Sequence, residues 1–186
     1  MRILIASVVL GVACMAADDS AAVADFTKRV EAYAKLRDTA KGKVPKVPAK
    51  ATPEQIEKYE QALLAEIQAG RTTAKQGDIF TPQVEPVFRR ILKENFSGAS
   101  NKEARAVVKQ GNPKQELEKG EQAPVIAVNS VYPKNAPLST IPPLLLQDLP
   151  TLPKDIEYRF SGQTLILRDN HSNLIIDFIK GASPTK

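Results

Sequence analysis

The chain has 186 residues with one cysteine, one histidine and no tryptophan, and its 26 basic against 21 acidic residues give a net charge of +5. One cysteine excludes an internal disulfide, and a single histidine argues against Cys/His or His-rich metal sites. The basic excess is spread along the chain and reads as solvated surface, no helix-turn-helix or zinc-finger pattern occurs, and aromatic residues are sparse, so a nucleic-acid partner is not expected.

Arg2, an apolar run from Ile3 to Val12 and small residues up to Ala17 have the three parts of a secretory signal peptide. The run is too short for a bilayer span, which needs roughly 20 apolar residues, and no later stretch approaches that length. The sequence therefore predicts an exported, secreted or periplasmic protein with no transmembrane segment after the leader, residues 1–17. Cleavage after Ala16 or Ala17 leaves Asp18-Asp19 at the start, and Ala22-Val23-Ala24 offers a second site. Leu10-Gly11-Val12-Ala13-Cys14 loosely resembles a lipobox, which would acylate Cys14 and anchor the protein on a membrane.

Residues 18–110 read as a helical region. Val23, Phe26, Val30, Tyr33 and Leu36 recur at helical spacing and predict a helix over 20–41, capped by Asp19 or Ser20, with Lys28, Arg29, Lys35 and Arg37 largely off the apolar stripe. Residues 43–51 form a Pro-containing loop. Thr52-Pro53-Glu54-Gln55 is a capping box with Pro at the first helical position, and Ile56, Tyr59, Leu63, Ile67 and Gly70 extend that helix to about residue 74. Thr81-Pro82 repeats the capping logic for a third stripe, Val84, Val87, Phe88, Ile91, Leu92 and Phe96, in which Pro86 delays or bends the start and Arg89-Arg90 lies on the polar side. A weaker fourth helix spans 101–109, with Ala104, Val107 and Val108 inward.

Residues 111–123 are polar and read as a linker. In the tail, 124–181, residues 124–132 are Val-rich and predict a strand. Five prolines flank a short helix over 143–149. Ile156, Tyr158 and Phe160 alternate with polar residues, Ser161-Gly162 supplies a turn, and strands follow over 164–168 and 174–179, separated by a turn at 169–173. The predicted class is α+β: an N-terminal antiparallel helical bundle, then a small antiparallel β-meander with a short helix.

Tyr132-Pro133, Pro137-Leu138-Ser139, Pro142-Pro143, Leu149-Pro150, Leu152-Pro153, Tyr158-Arg159-Phe160, Gly162, Leu165-Ile166-Leu167, Asp169 and Ile175-Ile176-Asp177 form a spaced pattern. It resembles the C-terminal part of small secreted bacterial proteins without assigned function. More distantly it is similar to short periplasmic modules of the nickel/cobalt homeostasis type. The resemblance implies export and a β-rich tail. The shared positions are prolines and apolar residues, so no metal ligands and no reaction transfer with it.

Candidate chemistry is sparse. His171 follows Asp169 in the 169–173 turn, as a base beside a carboxylate or a surface residue. Asp177 interrupts an apolar strand; alternation puts it on one face with Ile175 and Ile179, leaving Ile176 and Phe178 on the other, and pairs it with Arg159 or Arg168 across the sheet. Asp169, His171, Asp177 and Arg159 are thus the ligand-binding candidates. Ser139-Thr140 has no base to activate it. No nucleophile-elbow, zinc-protease, phosphate-loop or dinucleotide motif occurs, so no catalytic set, no metal site and no cofactor is assigned. The expected role is non-enzymatic contact with a protein or cell-envelope component. The alternatives are a small-ligand or metal-binding module, or a hydrolase using the Asp169/His171/Asp177 region.

Overall fold

A computed structural model describes residues 10–97, 102–110 and 124–183, with the side chains of the first helix described from Asp18 onward. The predicted linker at 111–123 and the first nine residues lie outside the described set. The elements in chain order are α1 (Leu10–Lys43), α2 (Pro53–Ala69), α3 (Val84–Phe96), α4 (Lys102–Gln110), α5 (Pro143–Asp148), β1 (Ile156–Ser161), β2 (Thr164–Asp169) and β3 (Ile175–Ile179). The three strands form one antiparallel sheet in the order β1-β2-β3, giving the expected α+β arrangement. No helix among the described residues is long and apolar enough to cross a membrane.

α1 is the spine. It begins upstream of the expected start at residue 20, so Asp19 does not cap it; the Asp19 carboxylate pairs with Arg90 of α3 instead. Its buried positions are Ala22, Phe26, Val30, Tyr33, Arg37 and Ala40, a single stripe at three- and four-residue spacing. Arg37 therefore lies on the stripe, not off it, because carboxylates wait for it in the interior.

α2 begins with the predicted capping box. The Gln55 amide donates to Thr52 Oγ1 at 3.3 Å, and the Thr52 amide donates to Gln55 Oε1 at 2.9 Å. The helix stops at Ala69, short of residue 74, and only Leu63 and Ile67 are fully buried, while the expected inward Ile56 is 43% exposed. α2 runs antiparallel to α1: Lys43 pairs with Glu66, and Leu36 sits against Gly70. A β-carbon at Gly70 would meet Leu36 Cδ1 at 3.3 Å, which explains the small residue there. α3 starts at Val84, two residues after Pro82. Thr81 supplies acceptors to the Val84 amide through both its carbonyl and its hydroxyl, and Pro86 falls in the first turn, where its missing N–H has no intrahelical partner to lose.

The helical region and the tail share one core. Phe26 of α1, Phe80 of the α2–α3 loop and Phe88 of α3 pack ring to ring at 4.7–5.6 Å between centroids, and Tyr158 of β1 stands 6.3 Å from Phe26 and 6.1 Å from Phe88. Leu165, Leu167, Ile176 and Ile179 belong to the same cluster. On the other face of the sheet, Ile166, Ile175 and Phe178 pack with Tyr132 under Ile126, Val128, Ala136 and Leu138.

Residues 124–132 do not form the expected strand. The chain turns at Val128-Asn129, with Asn129 at φ 64°, and its backbone joins the sheet only through the Val131–Leu174 bridge and its neighbouring hydrogen bonds. Its apolar residues cover the second face of the sheet instead of extending its edge. The β1–β2 hairpin turns at Gly162-Gln163, with Gly162 at φ 56°, as a two-residue connection requires.

β3 carries a bulge that overturns the simple alternation. Leu167 pairs with Asp177 but Arg168 pairs with Ile175, so Ile176 is an extra residue opposite the Leu167–Arg168 link. Asp177 consequently shares the helix-facing side with Ile176 and Ile179, and Ile175 and Phe178 take the other face.

Candidate functional site

Two interior carboxylates organise the tail. Asp169, at the end of β2, is fully buried. One oxygen accepts from Tyr33 Oη at 3.1 Å and Arg37 Nε at 2.6 Å; the other accepts the backbone amides of His171 at 3.1 Å and Ser172 at 3.0 Å. The guanidinium continues to Asp155, whose carboxylate lies 3.2 Å from Arg37 Nη1 and 3.2 Å from His171 Nε2. Burial works against the charge on Arg37, but the Asp169 and Asp155 carboxylates outweigh it and hold its pKa above the ordinary value. Burial first, and then the Asp169 charge, push the Tyr33 phenol far above its usual range. His171 therefore meets Asp169 only through its backbone. Its half-exposed ring turns to Asp155, a residue held at φ 70° between Pro153 and β1.

Asp177 is equally buried but is not paired with Arg159 or Arg168. Its oxygens accept four backbone amides: Gly77 at 3.1 Å, Ile79 at 2.9 Å, Phe80 at 2.9 Å and Phe178 at 2.8 Å. The bulge aims the carboxylate at the α2–α3 loop, and Gly77 at φ 87° lets the loop curl around it. Nearby, Arg71 donates to the Ile176 carbonyl at 2.9 Å and lies 5.0 Å from the centre of the Tyr33 ring. Burial lowers its pKa.

Arg159 and Arg168 both pair with Glu157 on the face of the sheet opposite the main core. Burial alone would raise the Glu157 pKa, and hydrogen bonds from Arg159 and Arg168 overcome that and hold it below the usual carboxylate range. Arg168 also donates to Asn173 Oδ1 at 2.8 Å, whereas Arg159 Nε is buried without a partner. Arg159 lines a cleft of about 470 Å³ together with Glu157, Thr140, Ile141, Leu146 and Leu152, among others. The cleft lies beside α5, whose Leu144 and Leu146 are 68% and 53% exposed.

The four candidates thus fall into three places. Asp169 and His171 share a turn in which the carboxylate meets only the His171 backbone, Asp177 on β3 holds the α2–α3 loop, and Arg159 lines the cleft. Ser139, the possible hydroxyl, donates to the Val108 carbonyl at 2.8 Å. The partners that sequence reasoning missed are Tyr33, Arg37, Asp155, Glu157 and Arg71. Of these, Arg37 was detectable, because it continues the spacing 26, 30, 33 along α1. The others become partners only through contacts distant in sequence. Among the described residues no three His, Cys, Asp or Glu side chains are grouped to hold a metal ion. No family model matches the chain, and neither a curated protein nor a solved structure matches it.

Proposed function

We propose that the chain is an exported, non-enzymatic protein that acts by contact with a protein or cell-envelope component, and that the contact is made at the cleft between β1 and α5. One observation carries this reading: Asp169 and Asp177 are fully buried, and each accepts four hydrogen bonds. A carboxylate has about four lone-pair sites, so both residues have their acceptor capacity committed to the fold and are poorly placed to serve as acid, base or ligand. The cleft combines apolar walls with an incompletely partnered cation and open access, the features of a binding surface. Export follows from the leader-like residues 1–17, with lipidation at Cys14 as the membrane-anchored alternative.

A photo-crosslinking side chain at Leu146 tests the contact reading in native envelope extract. The expected result is a discrete adduct that an exposed control position on α1, Glu31, does not give. Identical adducts at both positions, or none at Leu146, would overturn it. The mass of the mature N-terminus separates cleavage after residue 16 or 17, cleavage after residue 24 and acylation at Cys14; an intact Met1 in the cell would sink the export reading.

A further inference from the structure

The cleft lies along a strand edge. Successive strand residues point to opposite faces of a sheet, yet residues 156–159 all line this one concavity. Only the outer edge of β1 meets both sides at once. β1 is an outer strand of the sheet, and among the described residues its far side is bridged at one point, where Ser139 and Phe160 exchange backbone hydrogen bonds of 2.8 and 3.1 Å.

That bridge fixes the parity. In an antiparallel ladder, alternate residues turn their N–H and C=O to the same neighbour. Phe160 turns outward, so Tyr158 and Ile156 do too. The Ile156 amide is taken by the Pro153 carbonyl at 3.2 Å. The Tyr158 amide and carbonyl have no hydrogen-bond partner among the described residues. The neighbouring chain does not supply one. The Ser139–Phe160 register would set Ile141 opposite Tyr158, but Ile141 makes no backbone bond to it, and the chain leaves through Pro142-Pro143, where proline cannot extend a ladder further. Among the described residues the result is one unfilled strand position at the cleft, walled by Ile141, Leu146 and Leu152.

Charge narrows the occupant. Two guanidiniums, Arg159 and Arg168, share the single Glu157 carboxylate, and Arg159 Nε has no acceptor. The partly buried group of Glu157, Arg159 and Arg168 beside this edge carries one net positive charge. We propose that the outer edge of β1 receives an extended segment of a partner polypeptide. The segment adds as a short fourth strand through the Tyr158 backbone, lays apolar side chains on Leu146 and Leu152, and presents an Asp or Glu to Arg159. Strand addition of this kind takes its affinity from main-chain hydrogen bonds and its specificity from side-chain pockets. The inference rests on the cleft being the contact surface.

The probe is a panel of labelled octapeptides alternating Val, Ile or Thr with Asp or Glu, measured by fluorescence anisotropy. The proposal expects at least one to bind more tightly than about 1 mM. It expects methylation of that peptide's alternate backbone nitrogens to weaken binding by roughly tenfold or more. Arg159→Leu should weaken the acidic peptide by a similar factor and leave its Asn/Gln counterpart unchanged, with a thermal melt confirming that the variant folds. The N-methyl comparison needs no variant. Failure of the whole panel, equal binding of the methylated peptide, or complete displacement by decanoate, which has a carboxylate and an apolar tail but no backbone, would each overturn strand addition. So would a self-associated dimer that buries the edge, seen by sedimentation. If the peptides fail while the Leu146 adduct persists in extract, strand addition falls and the contact reading stands; if they bind and the adduct is absent, the reverse holds.

Discussion

Asp177 was visible in the sequence as a carboxylate interrupting an apolar strand and Asp169 as the neighbour of His171 in a turn, and both hold distant pieces of chain. What single-residue reading could not give was the partner. The loop donors to Asp177 are backbone amides about one hundred residues away, and amides leave no mark in a sequence. Asp177→Ala would strand four donors in the interior, and urea unfolding should show a loss of about 3 kcal/mol or more; a loss below about 1 kcal/mol would mean that the loop finds other acceptors. Tyr33 gives a prediction with a definite sign. Its phenol pKa is raised in the folded state, so its contribution is fully present below the unfolded value of about 10 and is lost as pH rises above it. Tyr158, raised by burial, acts in the same direction. The unfolding free energy from urea titrations should stay level up to about pH 9 and then fall, with a limiting slope near 1.4 kcal/mol per pH unit for each phenol. Tyr33→Phe should make that alkaline fall shallower, and an unchanged slope would show that Tyr33 ionises as readily folded as unfolded.

At the level of elements, the local signals worked where the cause is local. The capping box at Thr52 and the alternation of Ile156, Tyr158 and Phe160 both gave the right element, because each is decided within a few residues. Reading failed where a tertiary partner decides. Residues 124–132 have strand-like composition, but Asn129 turns the chain, and the apolar side chains gain more by covering the second face of the sheet. The β3 bulge is the sharper case, because one inserted residue exchanged the faces of all that precedes it. This predicts an unusual tolerance. Deleting Ile176 restores a regular ladder while leaving Ile175 and Asp177 on their present faces, so the protein should remain folded and lose about 2–4 kcal/mol, the scale of one buried aliphatic side chain. Deleting Phe178 shifts Asp177 to the opposite face and should leave no cooperative thermal transition. Equal behaviour of the two deletions would show that the bulge does not set the register.

For the molecule as a whole, composition indicated a protein held by packing without cross-links, and the aromatic cluster shows how that packing is shared. Phe26 and Phe88 come from the helices and Tyr158 from the sheet, while Arg37 finds both of its carboxylates in the tail. The sequence shows a polar break at 111–123 but carries no sign that the two sides are packed against each other. Residues 18–110 expressed alone lose Tyr158 from their aromatic cluster and leave a buried arginine without a counter-ion. They should give no cooperative melt by circular dichroism, whereas a sigmoidal transition would show that the helices fold independently. The same interdependence explains why the open edge of β1 survives: the strand is fixed from behind by α1 and α3, so its outer side need not close on itself to be stable.

The grip of Asp177 on the α2–α3 loop has a dynamic consequence. Loop amides normally trade protons with solvent quickly, because local opening frees them. Those of Ile79 and Phe80 can be released only when β3 itself comes away. In deuterium oxide they should persist as long as the slowest amides of β2, making a short connecting segment a reporter of complete unfolding.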